Sequence, residues 1–280
     1  MKTGMNLLLW ATHVTSEHYP ILAKLKQTGF DGVELPLFEG DAAHYKQIRS
    51  ELDKNGLACT AVTVVGPDAS PISPDASVRK AAVERLKWAI DMCAIIGAEN
   101  LCGPFHSPLA VFTGQGPTED EKARAADVLR QAAEHAQQAK VQLCIEYLNR
   151  FECYFLTTAA DAAALVKRVN HPWFRTMFDT FHAHIEEKSQ GSAIRTVAPV
   201  LGHVHISEND RGTPGTGQVN WDDAFRTLRS VNYDGWFVIE AFGRALPALA
   251  AATKVWRDLF PNPEDVYANG LKFMKSKWQA

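Results

Sequence analysis

VQLCIEY, residues 141–147, is short, apolar on both alternating faces apart from Gln142, and closed by an acid, Glu146. A run of that length and composition reads as a parallel strand buried on both sides. Further along the chain TMFD (176–179), GHVHIS (202–207) and WFVIEAF (236–242) repeat the pattern, carrying Asp179, His203 with His205, and Glu240. Toward the N-terminus the same kind of run occurs at 6–10, 32–35, 58–65 and 100–103. Amphipathic stretches separate the runs at 17–28, 42–55, 75–96, 119–139, 158–169, 192–198, 221–230 and 248–259, and one more follows at 264–277. Gly29, Gly56 and Gly97 each follow a helical stretch, where a left-handed cap costs glycine least.

Strands alternating with helices imply parallel pairing, and this many units in one chain fit a closed barrel better than an open sheet. No GxGxxG or P-loop follows the first strand, and no Pro/Gly/Ser linker divides the alternation. The predicted fold is therefore α/β, a single (β/α)8 TIM-type barrel spanning 1–280 with an extra C-terminal helix.

The chain has 280 residues, 46% hydrophobic and 22% charged, with a net charge of −3 from 29 basic and 32 acidic side chains. That balance supplies no general attraction for nucleic acid or an anionic membrane and suits a small neutral ligand. The five cysteines lack CxxC spacing and read as reduced, buried thiols. Neither a secretory leader nor a membrane span is evident, so a cytoplasmic location is expected.

In such a barrel, side chains at the C-terminal ends of strands converge on one mouth. Glu146, Asp179, His205 and Glu240 would then bring like charges within a few ångströms of one another, which is costly without a cation. Three carboxylates and one imidazole favour Mn2+, with Mg2+ or Co2+ as alternatives, over a structural zinc. His203 has the parity to share a face with His205 and reads as a residue behind the site or in the core.

CIEYLNRFE (144–152), FDTFHAHIEE (178–187), GHVHISENDRGTPGTGQVNW (202–221), YDGWFVIEAF (233–242) and KVWRDL (254–259) together resemble the ketose 3-epimerases, the D-tagatose, D-allulose and L-ribulose 3-epimerase group of the xylose-isomerase-like barrels. The likeness covers nearly the whole chain and is strongest from strand five onward. It implies one divalent metal on Glu146, Asp179, His205 and Glu240, the set also reached from the strand ends. It further implies substrate contacts by Glu152, His182 and Arg211 and a homodimer or homotetramer, and the lack of an obvious phosphate cradle favours a free sugar as substrate. Two segments depart from the group: LLLWATHV (7–14) has a single tryptophan, and CGPFHSPLAVF (102–112) carries none after His106-Ser107. The wall facing the far end of the sugar therefore differs.

The activity so implied is epimerisation of a ketose at C3 through a cis-enediolate, with Glu146 and Glu240 exchanging protons from opposite faces. Glu152 and His182 would orient O1 and O2, and Arg211 would position Glu240 or the O2 side. Proton transfer between C1 and C2, as in an aldose-ketose or hydroxypyruvate-type isomerase, would use much the same parts. A repair endonuclease would need more histidines and a basic groove. A non-catalytic sugar-binding barrel would keep affinity without turnover.

Overall fold

The computed structural model describes residues 1–279. Among them, parallel strands β1 (Lys2–Asn6), β2 (Gly32–Pro36), β3 (Ala58–Val62), β4 (Asn100–Gly103), β5 (Gln142–Ile145), β6 (Phe174–Asp179), β7 (Leu201–Ile206) and β8 (Trp236–Ile239) pair in chain order, and β8 closes against β1. The helices are α1 (Tyr19–Thr28), α2 (Ala42–Asn55), α3 (Ala76–Ile96), α4 (Glu119–Ala139), α5 (Ala159–Val169), α6 (Thr180–Glu186), α7 (Gln190–Val197), α8 (Trp221–Ser230), α9 (Pro247–Thr253) and α10 (Gly270–Gln279). The expected (β/α)8 barrel with an additional C-terminal helix is the observed fold.

Two expected elements are displaced. The first strand is Lys2–Asn6, not 6–10, because the Asn6 side chain accepts a hydrogen bond from Leu8 N at 2.8 Å and turns Leu7–Leu9 into a 3-10 helix. The leucines are buried, as an apolar run should be, but outside the sheet. The helix expected at 248–259 stops at Thr253, where Lys254 adopts a left-handed conformation (φ 61°) and its N–H returns to Ala250 O.

The helices start where local chemistry supplies partners for their first N–H groups. Asp41 caps α2, Asp75 caps α3, and Thr118 with Glu121 forms a reciprocal capping box on α4. Gly29, Gly56 and Gly97 end α1, α2 and α3 with positive φ, as the sequence predicts. Gly32 is required for a different reason: a Cβ there would run into the Ala58 carbonyl and come within 2.6 Å of the Trp236 ring.

The main apolar core lies between sheet and helices, built from residues such as Leu22, Ile48, Leu86, Leu129, Val166, Ile194 and Phe225. A separate, smaller cluster joins Val62, Cys102, Cys144 and Met177 to Leu8 and Phe242. All five cysteines are free and buried. No helix among the described residues is long and apolar enough to cross a membrane.

Candidate metal centre and its surroundings

Glu146 directly follows β5, Asp179 ends β6, His205 lies in β7 opposite Asp179 in the sheet register, and Glu240 directly follows β8. One potential ligand atom from each lies within 4.8 Å of the others. All four residues are at most 5% exposed, so their charges lack bulk water as a counterweight. Asp179 uses Oδ1 to cap α6, accepting from Phe181 N at 2.6 Å and His182 N at 3.4 Å, while its Oδ2 has no hydrogen-bond partner. The Nδ1 of His205 is likewise unpartnered, 3.5 Å from Asp179 Oδ2 and 3.4 Å from Glu240 Oε1. Buried polar atoms left without partners are rare, and two of them facing one small volume fit an ion.

The donor set agrees with that reading. Three carboxylates, one imidazole nitrogen and the adjacent Arg211 guanidinium leave a net negative balance that a divalent cation would offset, and oxygen-rich sets favour hard ions. Burial, followed by repulsion from Glu240, pushes Glu146 well above the ordinary carboxylate range. Glu240 is equally buried, but His205 and Arg211 outweigh the burial and hold it below that range. Two carboxylates at one mouth thus differ in proton affinity, a feature that recurs in acid/base pairs.

Around this centre stand His182, Arg211 and Glu152. The second residue of α6 after Thr180, His182, accepts the backbone N–H of Asn149 at Nδ1 (3.0 Å), and its Nε2 lies 3.2 Å from Arg211 Nη2 and 3.5 Å from Glu146 Oε1. Burial and then Arg211 lower its pKa to about 3, so the imidazole is neutral. Arg211, expected from the family likeness at the substrate or beside Glu240 despite its Gly/Pro-rich surroundings, is 4% exposed. Its Nη1 donates to Glu240 Oε2 at 2.7 Å and Ser207 Oγ at 3.1 Å, and the guanidinium lies 3.6 Å from the Phe181 ring centre and 5.0 Å from that of Phe242. A left-handed backbone (φ 67°) at Arg211 turns the side chain inward, an uncommon conformation for a non-glycine residue. Glu152 accepts from Asn149 Nδ2 at 2.9 Å and lies 3.8 Å from Arg211 Nη2.

These groups line one side of a cavity of about 80 Å3, while Leu8, Phe38, Val62, Val64, Leu109 and Leu249 form the apolar side. A second cavity of about 420 Å3 shares Glu152, Arg211 and Thr253 with it and extends past Phe151 and Trp256.

Sequence reasoning missed Glu34. It is fully buried in β2, its Oε1 lies 2.7 Å from His205 Nε2, and its Oε2 lies 2.8 Å from His203 Nε2. Burial would raise its pKa, but the two histidines outweigh burial and hold the carboxyl well below the usual range. The available signal was a lone acid inside the otherwise apolar strand GVELP. His203 sits behind the mouth, its Nδ1 3.1 Å from Asn100 Nδ2.

The family model described as xylose isomerase-like TIM barrel matches residues 22–277. A ketose 3-epimerase of Arthrobacter globiformis is 32% identical over 100% of this chain and 98% of its own. A D-psicose 3-epimerase of Agrobacterium fabrum is 34% identical over 92% of this chain and 91% of its own. Among solved structures, a D-psicose 3-epimerase in the presence of D-fructose superposes with a TM-score of 0.92 at 31% identity, covering 100% of both chains. A D-allulose 3-epimerase of Methylomonas sp. in complex with D-allulose gives a TM-score of 0.92 at 25% identity, covering 99% of this chain and 97% of its own. From the barrel, the strand-end cluster and these full-length likenesses together it follows that the chain belongs to the xylose isomerase-like TIM barrel family, among its ketose 3-epimerases.

Proposed function

We propose that the protein interconverts free ketoses at C3, with Glu146 and Glu240 as the two proton-exchanging groups and Glu146, Asp179, His205 and Glu240 as ligands of one divalent cation, Mn2+ in preference to Mg2+ or Co2+. The observation that carries this reading is the pair of unpartnered atoms, Asp179 Oδ2 and His205 Nδ1, facing the two glutamates in a buried cluster. A bound divalent cation supplies Lewis-acid stabilisation of negative charge developing on the sugar oxygens.

Inversion at C3 requires that the hydrogen be removed from one face and a proton be returned to the other. One glutamate takes the proton at a carboxylate oxygen, giving a cis-enediolate, and the other delivers a proton from the opposite side. The reverse reaction exchanges the roles, so each must serve as acid and base. Arg211 holds Glu240 through its Oε2, leaving Oε1 on the His205 side. Neutral His182, beside Glu146, and Glu152 are suited to orient O1 and O2 of the sugar. The apolar side excludes water from the reacting carbons.

The chain is read here as one domain and as a homodimer or homotetramer. Phe112 and Phe151, on the loops after β4 and β5, and Trp256, on the segment after α9, expose apolar surface of the kind that subunits cover. The net charge of −3 favours a neutral sugar over nucleic acid as partner.

Ketoses deuterated at C3 or at C1, incubated separately, test the reaction. Solvent wash-out at C3 with inversion is the expected result. Wash-out confined to C1 would replace epimerisation by transfer between C1 and C2, and no turnover of any free keto-tetrose, pentose or hexose by the Mn2+-loaded protein would replace it by binding alone.

A further inference from the structure

The geometry points to Glu34 as a positioning residue that orients two of the four proposed metal-facing groups, His205 directly and Glu240 through Asn6; the inference rests on the metal centre proposed above. Asn6, Glu34 and Thr60 are adjacent in the register of β1, β2 and β3. The Asn6 Oδ1 accepts the Leu8 N–H at 2.8 Å, which assigns Nδ2 as the donor toward Glu34 Oε1 at 3.0 Å and Glu240 Oε1 at 3.4 Å. The other carboxylate oxygen accepts from the Thr60 hydroxyl at 2.8 Å and the Cys102 thiol at 3.1 Å. Both oxygens of Glu34 are thus occupied, and the side chain cannot rotate without leaving a buried donor unpaired.

An ionised carboxylate only accepts, so His205 meets it with a proton on Nε2, at 2.7 Å. With a cation bound, Nδ1 is then the nitrogen free to face it beside Asp179 and Glu240. Which imidazole nitrogen can bind a metal is set by the hydrogen bond that the other makes. The contact spans the barrel interior from β2 to β7, which are not neighbours in the sheet, so pairing alone does not impose it. Glu34, Cys102, His203 and His205 also form a compact group of ligand type, which gives the competing reading of a second ion site. The occupied oxygens of Glu34 favour a hydrogen-bonded support over a second ion.

The test uses the full chain. Calorimetric titration of metal-free Glu34→Gln with Mn2+ is expected to show a Kd raised roughly 10–100-fold over wild type, the usual effect of losing an outer partner of a metal-binding histidine. Thr60→Val, which removes a donor to the opposite oxygen, is expected to leave the Kd near the wild-type value. Nitrogen-15 spectra of the Mg2+-loaded wild type are expected to place the His205 proton on Nε2, a result that does not depend on the variant folding. A wild-type Kd in folded Glu34→Gln, or a wild-type His205 protonated on Nδ1, would overturn the assignment while leaving the metal centre intact. Two Mn2+ per wild-type chain falling to one in Glu34→Gln would make Glu34 a ligand instead. A wild-type chain that binds no divalent cation would overturn both readings.

Discussion

Replacing Arg211 by Met removes the only guanidinium among the described residues within salt-bridge distance of Glu240 and keeps much of the side-chain volume between Phe181 and Phe242. Taking one partner from a buried ion pair costs about 3–5 kcal/mol, mostly because the remaining charge loses its counter-charge. Here the lower end applies, since His205 Nδ1 remains 3.4 Å from Glu240 Oε1. The metal-free variant should therefore unfold about 3 kcal/mol more easily in urea. Glu240→Gln in the Arg211→Met background removes the stranded charge, so the double variant should recover a large part of that loss. The cycle Arg211→Met, Glu240→Gln and the double variant, run in chelator at one pH, gives the coupling directly. Coupling below about 0.5 kcal/mol, the size of ordinary non-additivity between independent sites, would refute the claim that Arg211 neutralises Glu240.

Glu146→Gln and Glu240→Gln should each retain much of the metal affinity and lose turnover; substantial activity in either, measured by sugar product analysis, would reduce that residue to a ligand. Above about pH 7.5, a unit past the ordinary imidazole value, the histidines lowered by burial, His44, His106, His182 and His203, are largely neutral in both folded and unfolded chains, whereas Glu146 and His205 are raised in the folded chain. The folded state then holds more protons than the unfolded one, so metal-free stability should fall as pH rises from about 7.5 to 8.5, and urea midpoints should fall less steeply in Glu146→Gln. Adding Mn2+ should reverse the order, because a cation competes with those protons, and at 100 times its Kd it should add about 2.7 kcal/mol to stability. Thr118 lines neither cavity, so Thr118→Ala, which breaks the α4 capping box, should cost about 1 kcal/mol in denaturant unfolding with unchanged turnover.

The strand rhythm was legible because every strand is buried on both faces, so runs such as QLCI and WFVI stand out without alternation. The convergence of Glu146, Asp179, His205 and Glu240 was legible for a related reason. In a closed parallel barrel all strand ends face one mouth, so a polar residue at the end of an apolar run has its position fixed by topology. The first strand was less legible. Leucines 7–9 are apolar because they are buried, but a single side-chain bond from Leu8 N to Asn6 ends the ladder before them, and composition does not register such a bond.

Sequence by itself therefore determined the α/β barrel and which strand ends carry charge, since both follow from periodicity and position along one chain. Only the tertiary structure decided how those charges are held. Arg211, on a loop with a surface composition, is turned inward by a left-handed backbone to meet Glu240, and Glu34 reaches His205 across the barrel from a strand more than 170 positions away. Hydrogen bonds between distant strands leave no period in the sequence, because their partners are chosen by closure of the sheet and not by spacing along the chain.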